Sequence, residues 1–306
     1  MKGKEPYAII LRSSAMRGVP MKFTKMQGAG NDFVVVEASG KRCDWSRLAI
    51  AMCDRHYGIG ADGLLLVSPS KTADCAMRVF NSDGTEAEAC GNGTRCLVKY
   101  VADNGLVSAE AQEIAVATMA GVRKARVHRS RGKVTRVTVA MGEPKFGSSD
   151  IPVAIDPRQG SIAKTKSMIN YTINVDGERL SLNLVSMGNP HAVCFSANPV
   201  SDFPLLQLGP KVERHDIFPK RANFEIVQVL NRKEIEARVW ERGAGETLAC
   251  GSGACAIAVA GQLLGYVDSE VSVKLPGGTL KVAWDGTGEV FLSGAAEIVF
   301  SGEWPD

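Results

Sequence analysis

Two stretches of the chain, MRVFNSDGTEAEACGNG at residues 77–93 and ARVWERGAGETLACGSG at residues 237–253, end in nearly the same letters. Placing each position beside the one 160 residues later aligns the two stretches without a gap and pairs Cys90 with Cys250. Each stretch begins with a run typical of a strand and ends where a run typical of a helix begins. The repeat therefore predicts a strand followed by a helix, built twice, with a cysteine at the start of each helix.

A second repeat lies upstream of the first. GNDFVV at residues 30–35 resembles GNPHAV at residues 188–193, at an offset of 158. Two repeats in the same order predict duplicated halves. Both halves are mainly short alternating or β-branched runs separated by Gly, Asn and Asp, which is typical of β-sheet. The helices that begin at the cysteines are expected to end at Gly105 and Gly265, and the second, apolar on nearly every face, is expected to be buried all round. We predict an α/β chain in which each half curls a sheet around a central helix.

The composition favours a small-molecule ligand. The chain has 306 residues, 45% hydrophobic and 23% charged, enough for one large domain or two ordinary ones. Its net charge of +3 comes from mixed charges without a basic stripe, which argues against nucleic acid or membrane partners. No apolar run approaches the roughly 20 residues that span a bilayer, and the N-terminus lacks a secretory signal, so we expect a cytoplasmic protein. Residues 1–20 precede Met21, which begins a strand-like run, and receive no role.

The chain has eight cysteines, at positions 43, 53, 75, 90, 96, 194, 250 and 255. None forms a CxxC pair, and no histidine cluster has the spacing of zinc ligands, so we predict no metal site. All except Cys90 and Cys250 are interpreted as small packing residues in a reducing compartment.

The ACGNG and ACGSG segments suit a site that binds an anion and transfers protons. Their glycines let a ligand approach the backbone closely, and the first N–H groups of the following helix are unpaired and positively biased. The helix end also favours thiolate, so we expect lowered pKa values for Cys90 and Cys250. Facing each other across a cleft, one thiolate can remove a proton from a carbon while the opposite thiol delivers one to the other face. A single ACG segment would more often be a buried cysteine beside a helix cap; the duplication favours function.

Six motifs, in order from Met21 to the end, resemble those of the diaminopimelate epimerase family. They are GAGNDF at 28–33, GIGADGLL at 58–65, FNSDGTEAEACGNGTRC at 80–96, MGNPHAV at 187–193, ANFEIVQV at 222–229 and WERGAGETLACGSGACA at 240–256. The resemblance implies a cofactor-independent two-base epimerase that interconverts LL- and meso-diaminopimelate for lysine and peptidoglycan precursor biosynthesis. It also implies a homodimer of chains with two pseudo-symmetric α/β domains, each a curled, mainly antiparallel sheet around a central helix.

The resemblance assigns roles to individual residues. It makes Cys90 and Cys250 the paired acid/base thiols, and His191 and Glu241 the groups that tune their pKa values. The residues that it places against the substrate are Asn31, Asn81, Gly91, Asn92, Asn189, Asn223, Glu241, Arg242, Gly251 and Ser252. Of these, Glu241 and Arg242 would bind the distal ammonium and carboxylate.

The two pseudo-symmetric domains that the resemblance implies also divide the chain. We predict an N-terminal lobe of residues 21–137 and 294–306 that contains Cys90, and a C-terminal lobe of residues 138–293 that contains Cys250.

Two other interpretations stay open. A proline or hydroxyproline racemase-type epimerase has a similar fold and thiol pair, but its substrate lacks the distal groups that Glu241 and Arg242 fit. From another class, a redox or metal-binding module would use Cys90 and Cys250 as a regulated disulfide or as metal ligands. Phenazine-type isomerases lack the cysteine pair, which argues against them. The chain also departs from the family at Gly63, where some members have a substrate-contacting Gln, so no side-chain contact is predicted there.

Overall fold

The computed structural model describes residues 20–40, 43–88, 90–154, 162–165 and 168–305. The predicted N-terminal extension, residues 1–20, lies outside the described residues except for Pro20.

The elements follow one another in two similar series. The first comprises β1 (Met21–Gly28), β2 (Asn31–Glu37), α1 (Trp45–Cys53), β3 (Gly63–Ser68), β4 (Cys75–Asn81), β5 (Glu86–Ala87), α2 (Gly91–Asp103), β6 (Glu113–Thr118), β7 (Gly121–Ser130) and β8 (Lys133–Ala140). The second comprises β9 (Ile162–Thr165), β10 (Met168–Val175), β11 (Glu178–Ser186), β12 (Pro190–Ser196), a 3-10 turn (Val200–Asp202), α3 (Leu205–Glu213), β13 (Asn223–Asn231), β14 (Glu234–Glu241), β15 (Gly245–Thr247), α4 (Gly251–Leu263), β16 (Glu270–Leu275), β17 (Gly278–Ala283), β18 (Phe291–Gly294) and β19 (Glu297–Trp304).

Both halves have the same strand order. Neighbouring strands run β1–β2–β3–β4–β6–β7–β8 in the first half and β11–β12–β13–β14–β16–β17–β18 in the second. In each series the second and third strands pair parallel, as do the fourth and fifth, and the other neighbours are antiparallel. β8 pairs with β18 and joins the halves into one sheet. The matching order confirms the predicted pseudo-symmetric, mainly antiparallel α/β fold.

The C-terminal strand returns to the first half. β19 follows β18 along the chain but pairs with β1, the strand that begins the order of the first half. β10 has the matching place in the second half, because it pairs with β11, which begins the order there. The lobe boundaries at residues 137/138 and 293/294 stay a prediction, because the sheet runs unbroken from β8 to β18.

Each half wraps its sheet around one central helix. α2 packs against β1–β4 and β6–β8, and buries Cys96, Leu97, Val98 and Val101. α4 packs against β11–β13 and β16–β18, and every residue from Gly253 to Gly261 is buried. The prediction that the second helix is buried all round is confirmed. Burying one Val or Leu side chain stabilises the fold by about 1.5–3 kcal/mol. The central helices therefore hold the sheet in its curved shape.

The two central helices end where the sequence predicts. Gly105 and Gly265 follow their C-termini with φ of +70° and +78°, a left-handed conformation that glycine adopts without strain. Among the described residues, no helix is both long and apolar enough to cross a membrane.

Two shorter helices, α1 and α3, pack on the outer faces of the sheet and were not predicted. α1 buries Ala49 and Met52, and begins where the Asp44 carboxylate accepts a hydrogen bond from the Arg47 N–H at 3.1 Å. α3 buries Leu205 and Leu208. Each helix has only nine residues, too few for a helical period to stand out from the surrounding sequence.

Candidate active site

The N-termini of α2 and α4 meet between the two halves, beside a cleft of about 430 Å³ that both repeated cysteines line. Its other lining residues come from both halves and include Asn31, Glu88, Gly91, Asn92, Arg123, Met141, Asn189, Glu241, Arg242, Gly251 and Ser252. A wider depression of about 620 Å³ lies elsewhere, but its Arg232 Nε already donates to Asp268 Oδ1 at 2.7 Å. The cleft between the halves is therefore the candidate site.

Each cysteine is the N-cap of its helix, in nearly the same conformation. Cys90 has φ −146° and ψ 114°, and its sulfur accepts a hydrogen bond from the Gly93 N–H at 3.3 Å. Cys250 has φ −112° and ψ 114°, and its sulfur accepts one from the Gly253 N–H at 3.4 Å. The duplicated sequence thus produces a duplicated geometry. In each half, a helix N–H that has no acceptor within its own helix donates to the cysteine sulfur.

The glycines after the cysteines let the two helix ends approach each other. A Cβ added to Gly251 would lie 3.0 Å from Leu292 Cδ2 and 3.3 Å from Asn92 Oδ1. One added to Gly91 would lie 3.0 Å from Met141 Cε. Cβ atoms rarely come this close to other atoms, so a larger residue at either position would require Met141, or Leu292 and Asn92, to shift.

The surroundings of the two sulfurs raise their pKa values. Burial raises the pKa of Cys90, the charge of Glu241 adds to the rise, and the helix N–H groups and Arg95 oppose it. Burial and then the charge of Glu241 raise the pKa of Cys250 well above its usual value. The lowered pKa values expected from the sequence are wrong, because desolvation outweighs the helix dipole.

A hydrogen-bonded chain leads from a buried arginine into the first half of the cleft. Arg95 Nη1 donates to Asn92 Oδ1 at 2.9 Å, Asn92 Nδ2 donates to Asn31 Oδ1 at 3.1 Å, and Asn31 Nδ2 donates to Asp62 Oδ2 at 2.7 Å. Asn92 Nδ2 also donates to the carbonyl oxygen of Ala249 at 3.1 Å, across the boundary between the halves. Arg95 is fully buried, and its Nη2 has no acceptor among the described residues.

A second chain reaches the other cysteine. Asn189 Nδ2 donates to Ser252 Oγ at 3.3 Å, and Ser252 Oγ lies 3.5 Å from Cys250 Sγ. The His191 ring connects Asn189 Oδ1, 2.9 Å from Nε2, with Glu225 Oε1, 2.6 Å from Nδ1. Asn189 is the counterpart of Asn31, and Ser252 of Asn92, so the two chains occupy matching places.

Comparison with known proteins decides the family. The family model described as diaminopimelate epimerase matches residues 23–147 and 183–299. This chain belongs to the diaminopimelate epimerase family. A diaminopimelate epimerase from Desulfovibrio desulfuricans is 46% identical, over 94% of this chain and 99% of the relative. One from Methanococcus maripaludis is 42% identical, over 92% of this chain and 99% of the relative.

Solved structures of other proteins share the fold of this family. A phenazine biosynthesis protein of the PhzF family from Bacillus anthracis superposes with a TM-score of 0.66 at 16% identity, covering 94% of this chain and 99% of that one. A hydroxyproline epimerase from Agrobacterium vitis superposes with a TM-score of 0.64 at 14% identity, covering 93% and 92%. At these identities the likeness extends to the fold alone.

In this diaminopimelate epimerase family member, Glu241 and Arg242 line the cleft and Asn223 supports them. The Arg242 N–H donates to Asn223 Oδ1 at 2.9 Å, and Arg242 Nη1 donates to the Lys220 carbonyl oxygen at 3.2 Å. Thr247 Oγ1 donates to Glu241 Oε1 at 2.5 Å. Asn223 is buried and does not line the cleft, so its direct contact with a substrate stays a prediction.

Asn81 and Gly63 lie outside the cleft, opposite each other on β4 and β3. Asn81 is exposed, and its Nδ2 donates to Thr85 Oγ1 at 2.9 Å. A Cβ at Gly63 would lie 2.8 Å from the Phe80 carbonyl oxygen, so the backbone itself leaves no room for a side chain. The substrate contact of Asn81 stays a prediction.

Several polar residues at or behind the cleft were missed from the sequence. Arg123 and Glu88 line it, and Arg95 and Asp62 bond the lining residues Asn92 and Asn31. Glu225 lies further back and bonds His191, which in turn contacts Asn189. The duplication contains a signal for one of them, because a buried Arg95 in one half corresponds to a cysteine, position 255, in the other. A position where two otherwise matching halves differ in charge is a candidate for a functional difference.

All eight cysteines are free thiols. Within the part of the chain that the structure describes, no group of three or more His, Cys, Asp or Glu side chains is placed to hold a metal ion.

Proposed function

We propose that this family member interconverts LL-2,6-diaminopimelate and meso-diaminopimelate with its own side chains as acid and base. The observation that supports this most is the pair Cys90 and Cys250, each the N-cap of a helix and each lining the same cleft. An epimerase removes a proton from one face of a carbon and returns one to the opposite face, which requires two acid/base groups. The pseudo-symmetric halves supply one from each side.

The reaction balances with two thiols. One thiolate takes the α-proton, and the electron pair of the C–H bond stays on the α-carbon and spreads into its carboxylate. The opposite thiol gives its proton to the other face and becomes a thiolate. The N–H groups at the starts of α2 and α4 donate to the carboxylate and stabilise its added charge. Each cysteine is therefore the base in one direction and the acid in the other.

The raised pKa values fit a reaction at a weakly acidic carbon. Burial and the charge of Glu241 make both thiolates scarcer, but a thiolate with a raised pKa is also a stronger base. Displacement of water by the substrate keeps that base unsolvated at the moment of proton transfer.

Glu241 and Arg242 favour diaminopimelate over the proline-type alternative. A guanidinium binds a carboxylate with two parallel hydrogen bonds, and a carboxylate binds an ammonium. Diaminopimelate carries both groups at its distal end, whereas proline and hydroxyproline carry neither. We propose that these two adjacent side chains in the cleft select the longer substrate.

We also propose a cytoplasmic homodimer that forms through β19. Ile298, Val299 and Phe300 are 46%, 56% and 46% exposed, and within the described residues β19 pairs with β1 alone. An exposed apolar edge strand invites pairing with another chain, and a second copy would cover it. Sedimentation of the parent and of Val299→Lys tests this; a dimer that the substitution splits supports the proposal, and a monomeric parent contradicts it. Eight free thiols suit a reducing compartment.

The test of the reaction is conversion of LL-diaminopimelate in D₂O, followed by chiral chromatography with mass detection. The parent should form meso-diaminopimelate that has gained one deuterium. Cys90→Ala and Cys250→Ala should each lose conversion by at least about 10³-fold while keeping the circular dichroism of the parent. Near-parental conversion by Cys90→Ala, or turnover of L-proline with inert diaminopimelate, overturns the proposal.

A further inference from the structure

Behind Cys250 lies a buried acid–base pair that the two-base reaction does not itself require. Glu225 on β13 and His191 on β12 are both completely buried, and Glu225 Oε1 lies 2.6 Å from His191 Nδ1. The other carboxyl oxygen, Oε2, has no partner among the described residues. A buried carboxyl group with one oxygen left without a partner is costly to keep in a fold, so its position calls for a physical reason.

The contacts fix where the hydrogens of the pair lie. A carboxyl oxygen and a ring nitrogen at 2.6 Å share a hydrogen, whichever atom holds it. In the orientation that the Asn189 amide has in the structure, Oδ1 lies 2.9 Å from the other ring nitrogen, Nε2, and since an amide oxygen only accepts, Nε2 donates to it. The pair therefore holds two hydrogens and is neutral as a unit, with one N–H aimed at Asn189.

The direction of that hydrogen bond passes on to the sulfur. With Asn189 Oδ1 accepting from His191, its Nδ2 faces Ser252 Oγ at 3.3 Å and donates to it. Ser252 Oγ accepts that bond with one of its two lone pairs, and its hydroxyl hydrogen is free to point at Cys250 Sγ, 3.5 Å away. Every hydrogen bond from Glu225 onward is thus directed toward the sulfur.

We propose that Glu225 is a positioning residue that, through His191 and Asn189, holds the Ser252 hydroxyl as a hydrogen-bond donor to the Cys250 thiolate. The proposal rests on the proposed function, in which Cys250 must exist as a thiolate during one direction of the reaction. Without a fixed donor, the hydroxyl could turn its lone pair to the sulfur and oppose that form.

Among the described residues of the first half, no histidine–glutamate pair lies behind Cys90, and the chain there begins at Arg95 instead. The positions that correspond to His191 and Glu225 are Phe33 and Leu65, both buried and apolar. They sit in the same register, because Val35 pairs with Leu65 as Val193 pairs with Glu225. The device therefore belongs to one of the two cysteines, in a fold whose halves otherwise match.

The charged groups that face Cys250 do not replace this donor. They are Glu225 on β13, Glu241 at the end of β14 and His191 on β12, and Arg242 lines the same cleft. The charge of Glu241 opposes the thiolate, whereas the carboxyl group of Glu225 belongs to a pair with His191 that is neutral as a unit. Among the described residues, the donors to the sulfur are the Ser252 hydroxyl and the Gly253 N–H.

The test measures the thiolate of Cys250 directly. Iodoacetamide labelling of Cys90 and Cys250 is followed by peptide mass spectrometry from pH 6 to 11 in the parent and in Glu225→Gln. An amide at 225 whose oxygen faces His191 accepts from Nδ1, which turns Nε2 into an acceptor and reverses the chain. In that orientation we expect the labelling midpoint of Cys250 to rise by about one pH unit, equal to about tenfold less thiolate at a fixed pH, with Cys90 unchanged. An amide whose N–H faces Nδ1 keeps the chain, so the result that overturns the proposal is an unchanged Cys250 midpoint in both Glu225→Gln and Ser252→Ala.

Two further variants keep the test decisive. Ser252→Ala deletes only the last donor and should raise the Cys250 midpoint as Glu225→Gln does, while the double variant should raise it no further. Additive shifts in the double variant overturn the proposal. Glu213→Gln is the matched control, since Glu213 is also a buried glutamate of the second half but bonds Trp240 Nε1 and the Gly243 N–H instead. It should leave the Cys250 midpoint unchanged.

Because labelling needs no substrate, the result is independent of the proposed reaction. A second measurement then connects the labelling result with the proposed reaction. It follows deuterium exchange into diaminopimelate by Cys90→Ala, in which Cys250 is the remaining thiol of the pair. Adding Glu225→Gln should slow this exchange about tenfold at neutral pH. If Glu225→Gln shifts the Cys250 labelling midpoint but the parent exchanges no deuterium into diaminopimelate, the positioning role is supported. Only the proposed function is then contradicted.

Discussion

Asn92 donates a hydrogen bond to the carbonyl oxygen of Ala249, 3.1 Å away and in the other half of the chain. Ala249 directly precedes Cys250. Asn92, which follows Cys90 and Gly91, therefore holds the backbone that carries the opposite thiol. The same amide donates to Asn31 and accepts from Arg95. One side chain therefore links the two helix ends, with both of its N–H groups donating and its oxygen accepting.

Removing that side chain should loosen the site and the fold together. Asn92→Ala deletes three hydrogen bonds and leaves Arg95 Nη1 buried without an acceptor, which costs about 1–3 kcal/mol. We expect the free energy of unfolding, measured with urea, to fall by that amount and kcat/KM to fall at least about tenfold. Asn170→Ala is the control. The side-chain amide of Asn170 also donates two hydrogen bonds, but to Ser181 and Asn183, which lie away from the cleft. Equal kcat/KM in Asn92→Ala and the parent would contradict this role.

Arg95 should matter more for Cys90 than for stability. Its charge lies near Cys90 and favours the thiolate, yet burial of a guanidinium without a carboxylate partner is itself costly. In Arg95→Met we expect the iodoacetamide midpoint of Cys90 to rise and kcat/KM to drop at least about tenfold, with an unfolding free energy within about 2 kcal/mol of the parent. Arg95→Lys, which keeps the charge, should recover part of the midpoint shift. If the iodoacetamide midpoint of Cys250 rises as much as that of Cys90 in Arg95→Met, the effect is not a local one of the Arg95 charge on Cys90.

An ion-pair group beside Asn31 should make the fold sensitive to acid. Burial acts to raise the pKa of Asp32, but hydrogen bonds from Arg55 and Lys25 outweigh it and lower the pKa to about 2. Since the unfolded value is about 3.9, this carboxylate stabilises the fold above about pH 4, and the contribution is lost as the pH falls toward 2. Asp32→Asn should lower the unfolding free energy by about 1–2 kcal/mol at pH 7, and the difference from the parent should shrink between pH 4 and 2. A difference that stays constant down to pH 2 means that the charge is not its cause.

The duplicated motif predicted the fold well because its two signals are local. A strand pattern followed by a glycine-rich helix start depends on neighbouring residues, and Gly105 and Gly265 end both helices where the sequence indicates. The repeat at an offset of about 160 then placed both cysteines in equivalent positions, which the N-cap geometry of Cys90 and Cys250 reproduces. Family motifs supplied most of the cleft-lining residues.

The rest depends on contacts between residues far apart in the sequence. The pKa direction of the two thiols was wrong because the sequence shows the helix end but not how deeply the fold buries it. Glu225 and His191 are 34 positions apart and meet only because β12 and β13 pair in parallel. Arg95 in a helix pattern resembles an exposed face until the sheet closes over it, so its burial could not be read from spacing.

Gly63 offers a test of the departure from the substrate-contacting Gln that the family resemblance implies for some members. A side chain there would begin 2.8 Å from the Phe80 carbonyl oxygen, so β3 and β4 would have to separate locally. We expect Gly63→Gln to lower the unfolding free energy by about 1–3 kcal/mol, as overpacking does, and to leave KM for diaminopimelate no lower than in the parent. Gly63→Ala is the control, because it introduces the same backbone contact without an amide and should lose similar stability. If Gly63→Gln is as stable as the parent and lowers KM, the strand pair yields to the side chain, and the amide then reaches the substrate in this chain as well.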